Sequence, residues 1–130
     1  MTVNPAPDNS GIVFRRIDLE NTPTVPALCE YVTDTSRGTT IEKGEAKIST
    51  VEHILSALWS MGVDNAVIDI DAPETPILDG SAREYVQRIT ETGLVEQKAD
   101  RKYYEVTEKQ VYTIPDKGVA IIIYPDDEFT

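Results

Sequence analysis

Glu52 and His53 stand side by side in a chain of 130 residues, and His53 is its only histidine. A carboxylate can act as a general base, and a neutral imidazole can carry a proton or ligate a metal, so this pair is the natural starting point for chemistry. Alone it does not make a site. One imidazole is not a metal centre and Glu-His is not the HExxH order of the zincins, so the plain reading of His53 is an exposed helix residue. Asp79-Gly80-Ser81 is the second candidate. Its plain reading is a turn glycine, a capping serine and an acid favourably placed near a helix N-terminus.

Both candidates sit at helix starts. From Thr50 to Met61, Val51, Ile54, Leu55 and Leu58 fall at the i, i+3, i+4, i+7 spacing of one helical face. Ser49, with Glu52 three residues on, has the spacing of a capping box, which would give Glu52 a purpose without catalysis. Gly62 follows, where a left-handed residue is needed. With Val51 at zero on the helical wheel, Leu55 and Leu58 lie within about 40°, Glu52 near 100° and His53 near 200°. The imidazole therefore faces away from the apolar stripe. On its side lie Ser56, Ala57 and Ser60, small residues on which another layer of protein could pack closely. Ser81 to Glu84 repeats the capping-box spacing and opens a second helix with Ala82, Tyr85, Val86 and Ile89 on one face, closed by Gly93. Each helix start offers an acid and free N–H donors, a weak signal for an anion or an oriented ligand.

The surrounding pattern is that of strands. Ile12 to Ile17 has β-branched and aromatic composition after a turn-forming cluster at Asn4 to Gly11. Leu28 to Val32 and Thr39 to Ile48 read as short strands around the polar loop Thr33 to Gly38, beyond a break flanked by Pro23 and Pro26. Ala66 to Asp71 alternates, with Ile68 and Ile70 inward. After the polar stretch Gln97 to Lys102, Tyr103 to Thr107, Val111 to Ile114 and Val119 to Tyr124 give a hairpin signal around Pro115 to Gly118. Its last strand is apolar on both faces and wants cover on each. The elements amount to an α+β fold, a two-layer α/β sandwich whose mainly antiparallel sheet is covered on one face by two helices.

Composition narrows the function. Lys and Arg total 12 against 23 Asp and Glu, a formal charge of −11, which repels nucleic acid and anionic membranes. The longest apolar run, Val119 to Tyr124, is far too short to span a bilayer, so no transmembrane segment is expected. No signal-peptide pattern opens the chain, and Cys29, the single cysteine, excludes an internal disulfide. This is the usage of a reducing compartment and points to the cytoplasm. Cys29 itself reads as a semi-buried small hydrophobe.

The segments Ile48 to Leu58, Gly62 to Asn65 and Ala72-Pro73-Glu74-Thr75-Pro76-Ile77-Leu78-Asp79-Gly80-Ser81-Ala82 closely resemble the UDP-3-O-acyl-N-acetylglucosamine deacetylases of bacterial lipid A synthesis. Pro5 to Leu19 is also similar to that family, so the likeness runs from about residue 3 to the chain's end. It implies two similar α/β domains facing each other helix to helix, with a zinc site between them. It further implies that His53 is one of three zinc ligands and Glu52 the general base, that Thr35, Gly38 and Thr39 lie near the sugar of a UDP-sugar lipid substrate, and that Asp79 supports the site. The family's other ligands and its proton-transferring histidine have no match here. Residues 1–97 then correspond to the first domain without its opening strand, and 98–130 to a linker and the first hairpin of the second. Such a piece is expected to be inactive by itself and not to bind zinc tightly. The competing reading is a non-catalytic, acidic interaction or assembly domain that self-associates through its C-terminal hairpin.

Overall fold

Phe14 and Ile68 are direct partners across two parallel strands, and with Ile70 they form the floor of a fully buried core. The computed structural model describes residues 1–127; positions 128–130 of the expected second segment lie outside the described residues. The chain forms two compact units, Met1–Asp100 and Arg101–Thr130.

In the first unit, β1 (Thr2–Pro5), β2 (Ile12–Arg16), β3 (Thr24–Pro26) and β7 (Ala66–Ile70) form a four-stranded sheet in the order β1-β7-β2-β3. β4 (Val32–Asp34), β5 (Thr40–Lys43) and β6 (Ala46–Ile48) form a separate three-stranded sheet. The helices are α1 (Glu52–Ser60) and α2 (Arg83–Thr92). The expected α+β class holds. Among the described residues every strand pairing is antiparallel except β2 with β7, whose parallel register requires a crossover through β3 to α1.

Alternation carries through to burial. Ala66, Ile68 and Ile70 of β7 and Phe14 of β2 point to the core, as do Ile41, Ala46 and Ile48 from the smaller sheet. Ile54, Ala57 and Leu58 of α1 and Tyr85 of α2 close the same cluster, with Ala82, Val86 and Ile89 packed at its margin. Removing these side chains from water is the main favourable term in folding the unit.

Several sequence expectations shift. Asn4 and Pro5, expected at the start of a turn, belong to the edge strand Thr2–Pro5; Pro5 and Pro26 both lie on edge strands, where a missing N–H costs no ladder bond. The strand expected over Leu28–Val32 is displaced: Cys29–Tyr31 forms a 3-10 turn, the strand begins at Val32 and runs to Asp34 into the expected polar loop, and Cys29 is exposed, not semi-buried. The exposed ladder of Gln110–Ile114 (β8) with Val119–Ile123 (β9) realises the hairpin in the second unit, but Tyr103–Thr107 is irregular. Every residue of β9 is exposed. No helix of the described residues is long and apolar enough to cross a membrane.

Two ion pairs brace the larger sheet. Directly opposed in the parallel register, Arg15 donates to both oxygens of Asp69 at 2.6 and 2.9 Å, and Asn4 donates to Asp69 from the far side at 3.0 Å. On the buried face Arg16 holds Asp18 with two hydrogen bonds and donates a third to the Lys47 carbonyl, so its charge enters the core satisfied. These hydrogen bonds hold the carboxyls of Asp69 and Asp18 below the usual carboxylate range. A carboxyl with a lower value in the folded than in the unfolded state stabilises the fold above the unfolded value, and that contribution disappears as pH falls through the folded one. Denaturant midpoints should therefore drop steadily below about pH 4. Asp69→Asn should lower the midpoint at neutral pH and shrink that acid-induced drop; an unchanged pH profile would show the pair contributes nothing.

Candidate functional site

The capping-box spacing does not describe how α1 begins. Glu52 is the first helical residue, Val51 occupies the cap position and no side chain caps it. The Ser49 hydroxyl instead accepts a hydrogen bond from the Thr40 hydroxyl at 3.0 Å. The chain enters the helix through Thr50, whose φ of 61° is left-handed. For a β-branched residue such backbone costs about 1–3 kcal/mol and persists only where neighbours enforce it.

The neighbours come from the segment after β7. The Ser49 N–H donates to the Pro73 carbonyl at 2.9 Å, and the Thr75 N–H returns to the Ser49 carbonyl at 3.1 Å. The buried Thr75 hydroxyl donates to the Thr50 carbonyl, and the Thr50 hydroxyl donates to Glu74 Oε1 at 2.7 Å. Tyr85 of α2 in turn donates to the Pro76 carbonyl, and burial pushes its phenol up from the ordinary tyrosine value. Residues 73–76 thus join the two helix starts. Their periodicity showed nothing of this role, and only the pairing of Thr with a left-handed carbonyl reveals it.

Turned by this entry, the Glu52 side chain reaches the loop before β5. Its Oε2 accepts the Thr39 N–H at 2.9 Å, and the Val51 N–H donates to the Thr39 carbonyl at 3.3 Å. Gly38 lies against the same carboxylate, where an added Cβ would stand 3.0 Å from Oε1. The structure therefore gathers Glu52, Gly38 and Thr39, with His53 next to Glu52 along α1. Thr35 is exposed, at the centre of the turn in which Asp34 accepts the Ser36 N–H.

His53 is half-buried and outside the core cluster. Ser56 and Ser60 beside it are exposed, but Ala57 is fully buried and so is not part of a small outward surface. The buried arc of α1 is centred nearer Ile54 than Val51 and reaches Ala57. Trp59, which the spacing did not single out, is 73% exposed on the same helix. α1 closes through Gly62, at φ 74°, with the Gly62 N–H on the Trp59 carbonyl and the Val63 N–H on that of Leu58, the double bond pattern of a Schellman end.

Asp79 spends its hydrogen bonds locally. Its Oδ1 accepts both the N–H and the hydroxyl of Ser81, at 3.0 and 2.8 Å, and these bonds hold its carboxyl below the usual range. The Ser81 hydroxyl accepts the Arg83 N–H at 3.1 Å. As at α1, the helix starts later than the capping-box spacing implies, with Arg83 first and Ala82 at the cap.

Chemically, the cluster is one oriented carboxylate beside one partly open imidazole, enough to take up a proton and to donate one nitrogen to a metal. Among the described residues no group of three or more His, Cys, Asp or Glu could hold a metal ion.

A family model described as UDP-3-O-acyl N-acetylglycosamine deacetylase matches residues 1–130. The chain is 47% identical over 130 residues to a bifunctional enzyme LpxC/FabZ of Porphyromonas gingivalis, covering all of this chain and 28% of that protein. A protein of the same name from Bacteroides thetaiotaomicron is 46% identical, again with 28% of its length covered. A UDP-3-O-acyl-N-acetylglucosamine deacetylase of Legionella pneumophila is 47% identical over 129 residues, which span 93% of this chain and 42% of that enzyme. The chain thus spans well under half the length of these relatives.

If the clamp from Thr75 holds the left-handed turn, Thr75→Val keeps the shape, strands the Thr50 carbonyl and destabilises the first unit by about 1–3 kcal/mol. Urea unfolding of the chain measures this. An unmoved midpoint would show that the turn stands without the hydroxyl.

Proposed function

Because the chain belongs to the UDP-3-O-acyl N-acetylglycosamine deacetylase family, we propose that its residues form part of an amide hydrolase that removes the N-acetyl group of a UDP-3-O-acyl-N-acetylglucosamine in lipid A biosynthesis. The enzyme works in the cytoplasm. Residues 1–97 belong to its first α/β domain and 98–130 lead into and open the second. The observation that carries the reading is the Glu52–His53 pair at the start of α1, both half-buried, with the Glu52 carboxylate held by Thr39 and lying against Gly38.

Glu52 takes the proton from the water that attacks the acetamide carbonyl, and a histidine supplied from outside this chain protonates the departing amine. Thr39 and the more exposed Thr35 face the sugar, with Gly38 in the same loop, and Asp79 supports the site from the start of α2. The cofactor is zinc, for which His53 is the ligand this chain provides. A catalytic zinc commonly takes three protein ligands, so the residues present complete no such site and the others come from beyond them. When bound, zinc supplies Lewis acidity toward the reacting oxygen atoms.

In a protein extended to the length of its relatives, Glu52→Gln should fold normally and lose about 10²–10⁴-fold in kcat. Full activity in that variant would remove the catalytic reading and favour a non-catalytic assembly domain. The 130-residue chain alone, dialysed against zinc, should bind it only weakly; stoichiometric, submicromolar binding abolished by His53→Ala would contradict the single-ligand assignment.

A further inference from the structure

We infer that Gly38 is a positioning residue for the Glu52 carboxylate, acting by what it lacks. The inference rests on Glu52 being the catalytic base and deepens that reading. A glutamate side chain has three rotatable bonds, and α1 directs only the first of them, so something beyond the helix must hold the carboxylate. The holder is the turn before β5. The Thr39 N–H engages Oε2 at 2.9 Å and fixes the plane of the group. Oε1 is then the oxygen turned toward residue 38 and left to take up a proton.

An added Cβ at residue 38 would lie 3.0 Å from Oε1 and 3.8 Å from Cδ of Glu52, with Thr50 Oγ1 next at 3.7 Å. That crowding falls on the end of a side chain, not on backbone. Gly38 is not among the glycines with left-handed backbone, so an alanine meets no conformational objection there. A side chain at 38 therefore leaves the fold intact and pushes the carboxylate off its Thr39 bond by a few tenths of an ångström or more. Since the other close atom belongs to Thr50, the strained turn and the loop converge on one carboxylate.

This role differs from contact with substrate, which the resemblance implied for Gly38. Loss of a substrate contact raises KM; displacement of a base lowers kcat. The test is steady-state kinetics on the protein extended to the length of its relatives, with Gly38→Ala, Gly38→Val, Glu52→Gln and the Gly38→Ala/Glu52→Gln double variant. Gly38→Ala should lower kcat about 10–10²-fold with KM changed by less than about threefold and the thermal midpoint unmoved, and Gly38→Val should fall further. In the Glu52→Gln background, adding Gly38→Ala should change the residual rate less than about twofold, because the group it acts through is already gone. An unchanged kcat, a rise in KM alone, or an undiminished loss in the Glu52→Gln background would each overturn the assignment. Full activity of Glu52→Gln would instead remove the base itself. An inactive Glu52→Gln beside a fully active Gly38→Ala would remove only the positioning role.

Discussion

The left-handed turn at Thr50 is the constraint on which the site depends. A β-branched residue resists that conformation, and here it is enforced by Thr75 on its carbonyl and Glu74 on its hydroxyl. The turn lets the chain leave β6 and start α1 at once, with Ile54 and Leu58 falling into the core while Glu52 swings toward the loop before β5. A capped, relaxed entry would have used the Glu52 carboxylate on the helix's own N–H groups. The strain therefore releases an acidic side chain from a structural task.

The rest of the first unit serves to keep that entry rigid. The parallel pairing of β2 with β7 requires a crossover, and the segment after β7 bonds back to Ser49 and Thr50 within it. The smaller sheet brings Thr39 and Thr40 along the other side, through bonds to Val51, Glu52 and Ser49. Buried apolar side chains supply the free energy, but direction comes from these few polar contacts, some to backbone groups and some between side chains.

Much of this was legible in the residues. The 3.6-residue spacing of Ile54, Leu55 and Leu58, the alternation of Ala66, Ile68 and Ile70, and the turn before Val119 each became the expected element. The family likeness was carried by the run from Ile48 to Leu58 and by the Ala72 to Ala82 segment, which the fold uses at the two helix starts. The misses share a cause. Ser49-x-x-Glu52 and Ser81-x-x-Glu84 match a capping box as strings, but where a helix begins depends on contacts made from far along the chain. Likewise Thr2–Pro5 is a strand only because β7 offers an edge, and Cys29 is exposed because a 3-10 turn replaces the strand its neighbours suggest.

Periodicity and residue type were therefore sufficient for the class of fold and for placing His53 off the apolar stripe of its helix, because local patterns record which side of an element meets water, whereas the family came from the likeness of whole motifs. They could not show what Glu52 bonds, that Gly38 lies against its carboxylate, or that Glu74 and Thr75 bond the left-handed Thr50. Those facts arise from residues 13 to 25 positions apart meeting in space. Only the packed structure decides such meetings, since a hydrogen bond between distant segments leaves no period in the sequence.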